Sequence, residues 1–543
     1  MAKSENFKVS GNIVDIVNKE IFQGTITVEG NKIISLKKEQ TASNKYIAPG
    51  FIDAHVHVES SMLLPSEFAR LAVIHGTVAT VSDPHEIANV LGIDGVKFMI
   101  NNGDKVPFKF YFGAPSCVPA TPFETSGASL GPEEVEELLK MDKIKYLSEM
   151  MNFPGVLFGD EEVKKKLDVA KKYNKVIDGH APGLKGDDAK KYIEAGISTD
   201  HECFTIEEAL DKISYGMKIL IREGSAAKNF DALIGLLDNH SDQIMFCSDD
   251  KHPNDLVDGH INLLVKKAIA KDYDPVKVLR TCIYNPVMHY GLDVGLLQAG
   301  DNADFIVLDN LSDLNILETY IDGVKVAEDG KSLIPHINES TPNNFKATKI
   351  SVEDIKIAHT DDSIKVIKAF DGQLITESIS VKPMIDNGNI VSDIQKDILK
   401  LVVMNRYEAA PPAIGFINNF NLKQGAMAST VAHDSHNIIA VGTSDKEIVK
   451  AVNLLIETKG GVSVVDGEYN SVLPLAVAGL MSADDGFEVA GKYDMLDKKI
   501  KEMGSKLSAP YMTLSFMALL VIPALKLSDK GLFDGNKFEF TAV

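Results

Sequence analysis

Gly50-Phe-Ile-Asp-Ala-His-Val-His57 is a short apolar run that ends in two imidazoles one residue apart. Strand side chains alternate faces, so a strand here turns both rings the same way, where they can share one metal ion. A lone His-x-His is weak evidence, and its meaning depends on how the following runs end. Those runs are Thr77–Asp83, Lys109–Ser116, Ile144–Glu149, Lys175–His180, Gly196–His201, Met217–Arg222 and Gln243–Asp249, and helix-like segments separate them. Such alternation is the pattern of βα units around a parallel sheet. Eight strands in about 240 residues predict a closed (β/α)8 TIM-like barrel over residues 51–292, with its chemistry at the carboxyl ends of the strands.

Run four ends in Glu149, run five in Asp178-Gly-His180, run six in Asp200-His201 and run eight in Asp249-Asp250. One βα unit separates Glu149 from His180 and His180 from His201, and two separate His201 from Asp249. Four histidines and two carboxylates at one barrel mouth make the ligand set of a divalent metal pair, with Glu149 available as the bridging anion. Two cations close together bring the pKa of a shared water toward neutrality, so hydrolysis is the expected reaction class. Asp249 is the candidate acceptor and later donor of the water's proton. His85, in Ser82-Asp-Pro-His-Glu86, is free to polarise or protonate a substrate, or else is simply hydrogen-bonded in its loop.

Outside the barrel, Asn12–Ile47 reads as a β-meander with a turn at Glu29-Gly-Asn31. The same texture returns in Asp304–Asp309 and Tyr320–Val326. Residues 1–50 and 293–345 are therefore expected to form one composite small β-domain from both flanks, and residues 346–543 a separate α+β domain. The chain has 543 residues, 45% apolar and 24% charged, with 56 Lys and Arg against 77 Asp and Glu. The net charge of −21 argues against a nucleic-acid or anionic-membrane partner. Four cysteines are too few for a disulfide framework, and Cys203 and Cys247, which flank presumed ligands, read as buried apolar residues rather than metal donors. Met512–Leu525, the longest apolar stretch, is short for a membrane helix and contains Pro523. The amino end lacks a signal-peptide core, so a cytoplasmic protein is expected.

Several of these segments resemble the adenine deaminases within the amidohydrolase superfamily. They are Ala48–Ser61, Ser82–Asn89, Met150-Met-Asn-Phe-Pro-Gly155, Asp178-Gly-His-Ala-Pro182 and Cys247-Ser-Asp-Asp-Lys-His-Pro253. Beyond the barrel, Pro411-Pro412 and Ala432-His-Asp-Ser-His-Asn437 extend the likeness over nearly the whole chain. The resemblance implies hydrolysis of adenine to hypoxanthine and ammonia in purine salvage, with Fe2+ or Mn2+ as the two metals and Zn2+ as the alternative. It implies that His55, His57 and Asp249 hold one ion, His180 and His201 the other, and that Glu149 bridges them. The partner is then a small purine base, and a homodimer is expected. His85 and Glu59 become candidates for contact with ring nitrogens or the exocyclic amine, and Asp250, Arg222 and Ser225 for substrate binding. His433 and His436 are read as a lid or pocket wall in preference to a further metal site or a turn cap. Metal ligands define the nucleophile and not the electrophile. Cyclic-amide hydrolysis and amide deacetylation are therefore the enzymatic alternatives, and a non-catalytic scaffold is the alternative of another class.

Overall fold

The computed structural model describes residues 6–358 and 362–543. Eight parallel strands form the barrel: β1 (Phe51–Val56), β2 (Thr77–Ser82), β3 (Lys109–Ala114), β4 (Ile144–Met150), β5 (Val176–Gly179), β6 (Thr199–Asp200), β7 (Lys218–Arg222) and β8 (Ile244–Cys247). Each lies within or overlaps one of the eight sequence runs. Hydrogen-bonded ladders join β1 to β5 and β6 to β8. Two short seams close the ring. At the first, Ser198 N donates to Ile177 O at 2.9 Å, between β5 and β6. At the second, Asp249 N donates to His55 O at 2.9 Å and His57 N to Asp249 O at 3.3 Å, just beyond the ends of β8 and β1. These strands are covered on both faces, which is why β7 and β8 read as unbroken apolar runs between their ends.

Strands from both flanks make one further eight-stranded sheet. Tyr46–Pro49 pairs with Phe7–Asp15 on one side and antiparallel with Phe305–Leu308 on the other, so the chain enters the barrel and returns from it through adjacent strands. Ile13, Ile26, Ile47, Phe305 and Val307 form its core.

Ile364–Pro474 contributes a mixed sheet whose central strands are Ile398–Met404, Ile438–Gly442 and Ala426–Ser429. Helix Asp445–Thr458 lies on it, burying Ile448, Ala451, Val452 and Leu455 and starting at Ser444, whose hydroxyl accepts from Glu447 N. Several ties hold this part over the carboxyl end of the barrel, two of them hydrogen bonds to loops at the barrel mouth. Ser482 N donates to Met62 O at 2.9 Å, and Asn437 Nδ2 donates to Thr125 O at 2.9 Å. Among the described residues no helix is long and apolar enough to cross a membrane.

Candidate metal centre

β1 ends by presenting His55 and His57 to the barrel axis, their Nε2 atoms 3.2 Å apart. His57 Nδ1 lies 3.2 Å from the carbonyl of Asp83; donating its proton there leaves the Nε2 lone pair toward the centre. Asp249 follows β8 with φ +56°, a left-handed turn that brings its Oδ1 to 3.6 Å from His55 Nε2 and 3.3 Å from His57 Nε2. Glu149, near the end of β4, divides its two oxygens. Oε1 faces His57 Nε2 at 3.5 Å, while Oε2 lies 2.9 Å from His180 Nδ1 and 3.2 Å from His201 Nε2. The six side chains expected at the metals thus converge, all of them buried.

This donor set fits a pair of divalent cations. Glu149, Asp249, Glu202, Asp83 and Asp250 crowd one buried region, with the guanidinium of Arg222 among them, and a charge excess of that kind calls for cations. Nitrogens that face each other across 3.2 Å and a carboxylate that splits between two imidazole sets are arrangements that ions satisfy. The Nε2 of His180 and both nitrogens of His85 have no hydrogen-bond partner. Cys203 donates its thiol to Asp200, away from the cluster, so the donors are imidazole and carboxylate.

Burial alone would raise the carboxyl of Glu149, but the imidazoles of His180 and His201 hold it well below the usual range. Burial likewise opposes ionisation of Asp249, and Arg222 followed by His55 and His57 overcomes it.

The remaining candidates divide. His85 reaches the centre, with Nδ1 3.2 Å from Asp83 Oδ2 and 3.6 Å from Glu149 Oε1. Asp250 lines the same cavity and accepts the hydroxyl of Ser60 at 2.6 Å. Arg222 lies behind the cavity wall, where it donates through both terminal nitrogens to Glu202 and at 2.6 Å to Asp249 Oδ2. Ser225 is spent on Asp255 and on the N–H of His252 and does not reach the centre. Glu59 stands behind His57 and outside the cavity, its Oε1 accepting from Ile87 N at 3.2 Å. Burial, reinforced by the charge of Glu86, raises its carboxyl to about 8.

Glu202 was not among the residues singled out from sequence, yet it lines the cavity, 3.6 Å from His180 Nδ1 and 3.5 Å from His201 Nε2. β6 ends at Asp200, so strand alternation no longer separates the faces of His201 and Glu202. From the far domain, His433, Asp434, Phe516, Leu519 and Leu374 complete the cavity wall.

Residues 46–333 match the amidohydrolase family and residues 373–539 the adenine deaminase C-terminal domain. The chain is 58% identical over 534 residues to an adenine deaminase of Sulfurovum sp. (strain NBC37-1), covering 98% of this chain and 99% of that one. It is 54% identical over 546 residues to an adenine deaminase of Methanosarcina mazei, with 98% of each covered. It is 51% identical over 546 residues to one of Borreliella burgdorferi, covering 98% and 99%.

Proposed function

The chain belongs to the amidohydrolase family, in the branch that carries the adenine deaminase C-terminal domain, and on that premise we propose that it hydrolyses adenine to hypoxanthine and ammonia. The observation that carries the reading is the carboxylate of Glu149 divided between His57 on one side and His180 and His201 on the other. His55, His57 and Asp249 would hold one divalent cation and His180 and His201 the other, with Glu149 between. When bound there, the pair brings the pKa of a water toward neutrality and so supplies the nucleophile. Imidazole and carboxylate donors without thiolate suit Fe2+ or Mn2+.

The chain's own residues handle the protons. Asp249, with one oxygen held by Arg222, turns the other toward the imidazoles and takes the proton of the attacking water. His85, set between Asp83 Oδ2 at 3.2 Å and Asp434 Oδ1 at 3.6 Å, delivers a proton to the ring nitrogen beside C6 as that carbon becomes tetrahedral. Asp249 then passes its proton to the exocyclic amine. The C6–N bond breaks and ammonia leaves, while the hydroxyl on C6 gives up its remaining proton, which restores the one His85 donated, so that C6 keeps the oxygen as the carbonyl of hypoxanthine. Leu374, Phe516 and Leu519 keep bulk water from the reacting carbon.

Ammonia release from adenine is measured on metal-replete protein beside ring opening of hydantoin and dihydrouracil and deacetylation of an N-acetylated amino sugar. Activity on adenine is expected. Ring opening or deacetylation with no ammonia from adenine would overturn the reading.

A further inference from the structure

Lys526 is fully buried and has no acid to face. It stands in strand Leu525–Ser528 of the C-terminal domain, 0% exposed, and among the described residues its Nζ pairs with no carboxylate. Lys212 and Lys400 are buried as deeply, but the first meets Asp200 and Glu208 at 2.9 Å each and the second Asp445 at 2.6 Å. An uncompensated cation is costly in an apolar core, and a methionine would fill much the same volume without that cost. What the lysine adds is two donors at one point. Its Nζ donates to Leu374 O at 2.6 Å and to Phe516 O at 2.9 Å. Both acceptors belong to residues that line the cavity over the metal centre.

Neither acceptor is placed by regular structure alone. Leu374 lies in the connection between strands Ile364–Lys368 and Glu377–Val381, outside any helix or strand. Phe516 ends helix Pro510–Phe516, and Leu519, the third apolar residue of the cover, lies just beyond it. Leu525–Ser528 and the residues just before it are hydrogen-bonded to both segments. Toward the first, Thr376 N donates to Pro523 O at 3.1 Å and Thr376 Oγ1 to Leu525 O at 2.8 Å. Toward the second, Leu527 N donates to Met517 O at 3.0 Å. Lys526 reaches both segments with a single atom.

We propose that Lys526 is the positioning residue of the cavity cover, joining the carbonyls of Leu374 and Phe516 so that the two segments close over the metal centre as one body. The proposal rests on the metal-centre reading above and holds for any substrate of that centre. Burial with no acid to offset it pushes the ammonium down to about 7. The neutral amine still carries two N–H groups, so the junction survives loss of the proton. The cavity under the cover has a volume of only about 20 Å3, enough for a water and too small for a purine. Any organic substrate, and any chelator, must therefore wait for the cover to lift. Without Lys526 the two carbonyls lose their shared donor, and each segment lifts more readily.

The test is Lys526→Met, read by the rate at which excess EDTA strips Mn2+ from metal-loaded protein, with metal content checked beforehand by elemental analysis. Opening of the cover limits that rate, and loss of two hydrogen bonds to buried carbonyls implies stripping about 10- to 100-fold faster in the variant. Leu455→Ala leaves a void under helix Asp445–Thr458, in a separate core of the same domain, and controls for lost stability alone. It should strip at close to the wild-type rate. An unchanged rate in Lys526→Met, or an equal acceleration in both variants, overturns the proposal. The wild type gives a check that no folding defect can obscure. In residue-resolved hydrogen exchange the amides of Thr376 and Leu527, one at each junction, should share one protection factor, and values more than about 10-fold apart overturn the proposal as well. Wild type that binds no metal refutes the centre beneath it, whereas metal-loaded protein that fails either test refutes the role of Lys526 alone.

Discussion

Replacing Arg222 by methionine strips a guanidinium from between Glu202 and Asp249 while keeping much of the side-chain volume. Arg222 is 1% exposed, donates through both terminal nitrogens to Glu202, and reaches Asp249 Oδ2 at 2.6 Å. Without it two buried carboxylates face each other uncompensated. Removing one partner of a buried ion pair destabilises by about 3–5 kcal/mol. A domain of this size loses about 2–4 °C of midpoint per kcal/mol, so metal-free Arg222→Met should unfold roughly 6–20 °C below metal-free wild type. With metal bound, Asp249 has a cation beside it and only Glu202 remains unpaired, so the deficit should be smaller. Scanning calorimetry of both proteins, with a chelator and with excess Mn2+, measures both differences. A metal-free deficit under about 2 °C, or equal deficits with and without metal, would refute the view that Arg222 neutralises the charge that the ions otherwise share.

Three further outcomes follow from the same geometry. Glu149→Gln presents a neutral amide where a bridging anion stood, so elemental analysis should find fewer than two ions per chain; retention of both would remove Glu149 from the bridge. Asp249→Asn should abolish ammonia release while most of the metal persists, because the imidazoles and Glu149 remain, and full turnover in that variant would take Asp249 out of the proton path. Glu124 is buried beside Asp434, and burial followed by that charge raises its carboxyl from 4.5 to about 8. The folded state therefore binds more protons than the unfolded state between those values. Stability contributed there is complete below pH about 4.5 and is lost as pH rises through about 8, by at most about 5 kcal/mol. Glu124→Gln, whose carbonyl can still accept from Thr121 N and Oγ1, should flatten that slope and melt higher than wild type above pH 8. Identical pH profiles would contradict this assignment.

The barrel was legible because most of its strands lie in short runs rich in apolar residues, and the candidate ligands were legible because each sits where such a run stops. That signal fades one residue past the strand. Asp83 follows its strand end directly and Glu202 by two residues, where side-chain direction is set by the turn and no longer by alternation. Arg222 and Ser225 end or follow a strand at the same mouth, and only their partners, Glu202 and Asp249 for one and Asp255 for the other, reveal that neither faces the cavity. Met512–Leu525 carried a hydropathy signal that spoke only to membrane insertion. In the fold, helix Pro510–Phe516 is buried and Phe516 and Leu519 become cavity wall, a contact between residues hundreds of positions apart in the chain that no local pattern encodes.

The two-domain construction of the cavity has a physical reason. A barrel mouth open to water would screen the field of its carboxylates and imidazoles, since pair energies fall several-fold between an effective dielectric of about 20 and that of bulk water. Covering the mouth with Leu374, Phe516 and Leu519 brings His57, His85, Glu149 and Asp249 to only 3% exposure each. Charges set that deeply act strongly on a developing charge, but they are tolerable only while paired with cations, with Arg222 or with substrate. Closure and charge compensation are therefore coupled, because whatever satisfies these charges also stabilises the covered mouth over the open one.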